Sequence, residues 1–230
     1  SGVRDYLTTM QLAGLRAENV YTEAELVEMI CRQKKLNFAP GEEHLYSNAG
    51  YILLAAIVRA VTGESLGDFS AHALFARAGM GRSFIYEDRT RVIADRAQGY
   101  TTDSAAPSGF RVDTMWNFDV AGDGQVYTTV EDLCRWDQRF MDGSEGGQFI
   151  DMMHQRGVLN SGESIGYALG VSHGEYRGAA TVSHGGAWGG FRANLCHYPQ
   201  QRLSIAVACN LVSNGCVIST RKLRTERAVL

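Results

Sequence analysis

Tyr46-Ser47-Asn48 sets a phenol and a carboxamide two positions apart, between a Pro40-Gly41 turn and an apolar run over residues 49–61. The run reads as a helix of the core, so the triplet would sit at the mouth of a rigid element, as a site for acyl chemistry requires. A free phenol titrates near pH ~10. It serves as a base near neutrality only where positive charge favours the phenolate or an amine lies within relay distance. Asn48 can donate and accept at once, which suits orienting an ammonium and an amide carbonyl; read alone, it fits a turn residue equally well.

The elements that would position this triplet are legible from capping and periodicity. Thr22-Glu23-Ala24-Glu25 has the form of a capping box, and Leu26, Val27 and Ile30 follow on one face, predicting an amphipathic surface helix over residues 22–35. The 49–61 run is apolar nearly all round, which predicts a helix lying between other elements and stopped by Gly63. Ser65-Leu66-Gly67-Asp68 opens a further helix with Leu66, Phe69, Ala73 and Leu74 inward, ending near Gly79. From 81 to 126 the periodicity is lost, and aromatics such as Tyr100, Phe110, Trp116 and Phe118 are interspersed among turn residues; long irregular segments of this kind usually carry function or cover a site. Overlapping boxes at Thr128 and Thr129 begin a helix with Leu133, Trp136 and Phe140 inward, and a shorter helix follows over 148–155. The short β-prone runs 167–172, 179–184, 191–198 and 203–209 predict an antiparallel meander, closed by a helix over 217–230. Helices first and strands last make an α+β chain, with a mostly helical domain over 1–160 and a sheet domain over 161–230.

Composition narrows the function. With 45% hydrophobic and 20% charged residues among 230 the chain is globular, and a net charge of -3 provides no basic footprint for nucleic acid. No stretch reaches the roughly eighteen apolar residues of a membrane span, since the 49–61 run carries Arg59. Five scattered cysteines signal neither a disulfide framework nor a zinc site and read as buried apolar thiols. His44, His154, His173 and His197 have no metal-ligand spacing, and no cofactor motif is present. The chain opens Ser1-Gly2-Val3 without a methionine or a signal peptide, so an upstream segment is expected.

Several segments, in order, resemble the serine β-lactamase and penicillin-recognising superfamily, in particular its class C β-lactamase, DD-peptidase and esterase branch. Ser1-Gly2-Val3-Arg4-Asp5-Tyr6 resembles the tail of the family's His-Thr-Ser-Gly-Leu-x-Asp-Tyr segment, and Tyr46-Ser47-Asn48, with its Pro-Gly lead-in, resembles the Tyr-x-Asn motif. Gly122-Asp123-Gly124 through Leu133 resembles the glycine-rich turn into a Ser-Thr-x-x-Asp-Leu helix, and His184-Gly185-Gly186 resembles the third motif, a Lys or His followed by x-Gly on a strand lining the site.

The resemblance implies a serine hydrolase that forms an acyl-enzyme, with Tyr46 as base, Asn48 orienting a lysine ammonium, and His184 reaching a substrate carboxylate or passing a proton with Tyr46. Gly185 and Gly186 would admit a substrate to the backbone, and the N–H of Ala187 would be one oxyanion donor. Trp188 fits an acyl-pocket wall or rim packing equally, and Arg192 fits a carboxylate partner or an exposed strand arginine. The family's nucleophile lies in a Ser-x-x-Lys that precedes these motifs. The one match here, Ser219-Thr220-Arg221-Lys222, lies after them and is assigned no catalysis. The chain by itself is therefore expected to be inactive, to expose apolar surface and to be marginally stable. The expected partner is a small ester, D-amino-acid peptide or lactam, with a His in the third motif placing lactams last; a noncatalytic ligand-binding module is the alternative. A periplasmic or secreted location follows from the resemblance, and a cytoplasmic one also fits. The oligomeric state is open.

Overall fold

The computed structural model describes residues 1–16, 19–113, 118–140 and 147–212. In chain order these form helix α1 (Tyr6–Leu12), strand β1 (Tyr21–Thr22), α2 (Glu23–Cys31), α3 (Asn48–Thr62) and α4 (Leu66–Ser70), which continues as a wider turn over Ala71–Phe75. Short strands follow: β2 (Phe84–Ile85), β3 (Tyr100–Thr102), β4 (Phe110–Val112), β5 (Phe118–Asp119) and β6 (Val126–Tyr127). Then come α5 (Val130–Phe140), α6 (Gly147–His154), β7 (Ser172–Tyr176), β8 (Ala179–Trp188), β9 (Phe191–Tyr198), β10 (Leu203–Cys209) and β11 (Leu211–Val212). The α+β class is as expected. The helix anticipated over 217–230, Cys216 and Trp116 lie outside the described residues.

Two compact units alternate along the chain, the first comprising 1–94, 115–136 and 157–165, the second 95–114, 137–156 and 166–230. In the first unit, the capping box at Thr22 is complete: its hydroxyl accepts from the Glu25 N–H while the Glu25 carboxylate accepts from the Thr22 N–H. Leu26 and Ile30 are buried, and the helix stops at Cys31, one turn before the expected Lys35. α3 ends as its sequence dictates, with Gly63 in the left-handed region and its N–H donating to Arg59 O. Its expected all-round burial needs correction. Ala49, Ile52 and Ala55 face inward, whereas Leu54, Ile57 and Val61, spaced three and four apart, form an exposed apolar stripe.

The α4 helix also departs from its predicted face. Ala76 N donates to Ala71 O, five residues back, so the helix is locally underwound, and it closes at left-handed Gly79 with Met80 N donating to Phe75 O and Gly79 N to Ala76 O. The buried side chains of this stretch are Ser70, Phe75, Ala78 and Met80, while Leu66, Phe69, Ala73 and Leu74, expected inward, are half-buried. On α5, Leu133 and Trp136 are only half-buried, and the fully buried side chain is Asp132, which accepts from Arg82 N and Ser83 Oγ and pairs with Arg135. A buried carboxylate met by three donors holds the 82–83 segment onto the helix.

In the second unit, β10-β9-β8-β7 form one antiparallel sheet, the predicted meander. The first run begins later than expected: residues 167–172 make only a bridge from Tyr167 to Ser172, and the strand proper is Ser172–Tyr176. Cross-strand register aligns Ser204, His197, Val182 and His173 in one row, so the three polar members share a sheet face with the buried Val182. His154, at the end of α6, meets His173 edge-on, and Ser204 joins His197 to Asp137 of α5. Thus three of the four widely spaced histidines gather here, yet among the described residues no three His, Cys, Asp or Glu side chains converge on a metal position. Among the described cysteines the expectation of buried thiols holds for Cys196; Cys31 and Cys134 are exposed and Cys209 is half-buried. Among the described residues no single helix is long and apolar enough to cross a membrane.

Asp132→Ala leaves Arg82 N and Ser83 Oγ without their acceptor and is expected to destabilise the fold by about 2–3 kcal/mol. Urea melts against Leu133→Ala measure this. A smaller loss for Asp132→Ala than for its half-buried neighbour would show that the carboxylate does not hold the 82–83 segment.

Candidate active site

Asp5 is the residue on which the Tyr46-Ser47-Asn48 triplet rests. Its Oδ1 accepts from Leu7 N at 3.1 Å and caps α1, while its Oδ2 accepts from Asn48 N at 2.7 Å and Asn48 Nδ2 at 2.9 Å. Ser47 is the extended residue before α3 but makes no side-chain cap, so a carboxylate 43 residues upstream satisfies the first turn instead. The Asn48 amide is thereby oriented, with Nδ2 toward Asp5. Oδ1 and one Nδ2 hydrogen remain for an incoming group.

The glycine-rich turn after β5 supplies the second carboxylate. Gly122 has φ of 132°, and a Cβ there would lie 2.5 Å from Tyr51 O of α3, so only glycine lets this turn approach the helix so closely. Asp123 follows and accepts from the hydroxyl of the buried Tyr6 at 2.8 Å. Burial pushes the Asp123 carboxyl up to about 6, opposed by the Tyr6 hydrogen bond and aided by the Asp5 charge. The lead-in turn is held from elsewhere: Asn160 donates from its backbone to Gly41 O at 2.8 Å and from Nδ2 to Pro40 O at 3.1 Å.

Tyr46 stands at this cluster with 49% of its surface exposed. Its phenol titrates above the ordinary value, through partial burial first and then through the charges of Asp123 and Asp5. It is protonated at neutral pH, in a field set by two carboxylates.

The other predicted residues belong to the second unit. β7 pairs with β8 only as far as Ser183, opposite Ser172. Beyond it, His184 to Trp188 pair with β9 on one side, and among the described residues no strand pairs with them on the other. Gly185, Gly186 and Ala187 are exposed along that edge. The His184 ring is engaged at both nitrogens, Nδ1 lying 2.7 Å from Gly185 O and Nε2 3.0 Å from Tyr167 Oη. Trp188 is half-buried opposite Phe191. Arg192 donates from Nη1 to Gly189 O and Phe191 O, so its guanidinium braces the β8–β9 turn. That turn is tightly seated: Gly190 is buried, and a Cβ there would lie 2.5 Å from Tyr100 N. Sequence reasoning gave no role to Asp5, Asp123, Asn160 or Tyr167. Asp5 and Asp123 lie in the segments that resemble the family, whereas Asn160 and Tyr167 carry no local signal.

The family described as Beta-lactamase matches residues 1–228. The chain belongs to the beta-lactamase family. Among similar proteins, the D-aminopeptidase of Brucella anthropi is 29% identical over 216 residues, covering 91% of this chain and 40% of that protein. The D-aminopeptidase of Gluconobacter oxydans is 28% identical over 235 residues, covering 100% and 43%. This beta-lactamase-family chain thus spans about two-fifths of the length of the curated relatives it matches. In fold it resembles a penicillin-binding protein from Bacillus halodurans, with a TM-score of 0.75, 22% identity and coverage of 93% of this chain and 66% of that one. A D-amino acid amidase from Ochrobactrum anthropi SV3, solved with D-phenylalanine, has a TM-score of 0.74 at 19% identity, covering 92% and 62%.

Asp123 gives this site a pH signature. Because its folded value of about 6 exceeds the ordinary 3.8, the fold holds this proton more tightly than the unfolded chain does. Its contribution is most favourable below the unfolded value, declines as pH rises through the window from about 4 to 6, and is level above. Asp123→Asn should remove that decline, worth on the order of 2 kcal/mol, in urea melts at pH 4 and pH 7. Parallel pH dependence in the two proteins would contradict it.

Proposed function

We propose that this chain forms most of the substrate site of a serine hydrolase that cleaves the amide of a D-amino-acid peptide or amide through an acyl-enzyme. The observation that carries the reading is the setting of Tyr46: a protonated phenol beside Asn48 and flanked by Asp5 and Asp123. Such a phenol becomes a base only when a cation joins it, and two carboxylates with the free Asn48 Oδ1 are what would hold an ammonium there. The family pattern assigns that ammonium to the lysine of Ser-x-x-Lys. We therefore propose that the nucleophilic serine and its lysine are contributed from outside these 230 residues and that the chain alone is inactive.

In the reaction the serine oxygen attacks the amide carbon while Tyr46 takes its proton and delivers it to the departing amine. The open edge of β8 receives the substrate in extended form, its backbone hydrogen-bonding along Gly185 to Ala187, where the absence of bulky side chains lets it approach. By the family pattern the Ala187 N–H is the donor assigned to the developing oxyanion. His184 stands at the start of this edge, suited to a substrate carboxylate. The D-aminopeptidase relatives support an amide over an ester or a lactam.

The test is hydrolysis of D- and L-amino-acid p-nitroanilides by the full protein containing these residues, by the chain alone, and by full-length Tyr46→Phe. D-selective turnover with a serine-bound acyl adduct in the mass spectrum is expected from the full protein, with kcat lowered roughly 10²–10⁴-fold in Tyr46→Phe. Turnover by the chain alone would show that the nucleophile lies within it. Saturable ligand binding without any adduct would identify a binding module instead.

A further inference from the structure

The His184–Tyr167 contact determines more than its length. Gly185 O is an acceptor only, so at 2.7 Å the His184 Nδ1 must carry the hydrogen. In a neutral imidazole the other nitrogen is then an acceptor, and the partner 3.0 Å from Nε2 is a hydroxyl able to donate. Both contacts are satisfied together, in the neutral ring, by one arrangement: Nδ1–H to Gly185 O and Tyr167 O–H to Nε2.

The backbone delivers Tyr167 to this point. Residues 166–173 fold into a tight loop, with His173 N donating to Gly166 O at 2.9 Å and Ala168 N to Val171 O at 2.8 Å, and Gly170 in the left-handed region. The bridge to Ser172 keeps Tyr167 beside the end of β7, where pairing with β8 ceases. Tyr167 therefore reaches His184 at the start of the open edge. Neither ring nitrogen is directed at solvent.

We infer that Tyr167 is a positioning residue: its hydroxyl holds His184 in the neutral Nδ1–H tautomer and fixes the ring at the head of the β8 edge. A substrate carboxylate arriving there is met by the Tyr167–His184 pair once the ring has taken a proton, because only then is a hydrogen turned outward. If the ring takes a proton, Nε2–H donates to the Tyr167 oxygen and the phenol hydrogen turns outward, so the pair serves either state by exchanging donor and acceptor. Proton number is conserved in that exchange apart from the one received from solvent or substrate. The role in substrate handling rests on the proposed hydrolase reading, whereas the tautomer does not.

The experiment is long-range ¹H–¹⁵N correlation on the full protein with ¹⁵N-labelled histidine, the His184 signals being identified by their loss in His184→Gln. With the spectra recorded at a pH where the ring carries a single proton, the expected pattern is a protonated Nδ1 and an unprotonated Nε2. In Tyr167→Phe the two shifts should converge as the Nε2–H tautomer becomes populated, and thermal melts should confirm that the variant is folded. Turnover of a D-amino-acid dipeptide, which carries a free carboxylate for the pair to meet, should fall roughly tenfold in kcat/KM in the same variant, the weight of one misplaced hydrogen bond. A proton found on Nε2 in the wild type, or a tautomer unchanged in Tyr167→Phe, overturns the inference. So does an altered tautomer with unaltered kcat and KM, since Tyr167 would then position nothing of consequence. A wild-type protein that hydrolyses no D- or L-substrate refutes the hydrolase reading instead, and the tautomer pattern distinguishes that failure from this one.

Discussion

A single carboxylate, Asp5, starts two helices. Every helix leaves its first N–H groups without intrahelical partners, and α3 has at its start a serine whose side chain does not turn back to them. Asp5 meets this need with one oxygen while its other oxygen caps α1. The direction of α3, the orientation of the Asn48 amide and the place of Tyr46 two residues earlier all depend on that bifurcated contact. Gly122 reinforces it from the far side by letting the 121–125 turn rest on the α3 backbone.

The same arrangement sets the electrostatics. Asp5 anchors the triplet through hydrogen bonds, and Asp123 is brought in largely buried, where its charge is costly to maintain. Both raise the energy of a phenolate at Tyr46. The first unit is therefore poised to receive positive charge: an ammonium placed among these groups would favour ionised Asp123 and ionised Tyr46 together. Structural anchoring and chemical demand come from the same two side chains.

In the second unit the constraint is where a strand stops. β7 ends its pairing at Ser172, five residues short of the end of β8, and the main chain past that point is lined by glycine and alanine. The Gly189-Gly190 turn, braced by Arg192 and seated against Tyr100, fixes the far end of this segment. Rigid ends with an open middle suit an edge that receives an extended ligand.

Local rules in the sequence determined the element types, the capping box at Thr22, the end of α3 at Gly63, the meander and its order, and the motif residues that mark the family. Each of these is written in residues within a few positions of one another, where capping, periodicity and turn chemistry act. Tertiary structure decided the rest. The underwound turn after α4 was announced by no residue pattern, and the burial of Asp132 depends on donors about 50 residues away. The exposed stripe of α3 depends on which neighbours its apolar faces meet. Asp5 with Asn48, Asp123 with Tyr6, Asn160 with Pro40 and Tyr167 with His184 are contacts between segments 17 to 120 residues apart. A side chain's partner at such separation is set by the path of the backbone between them, and that path exists only once the chain has folded.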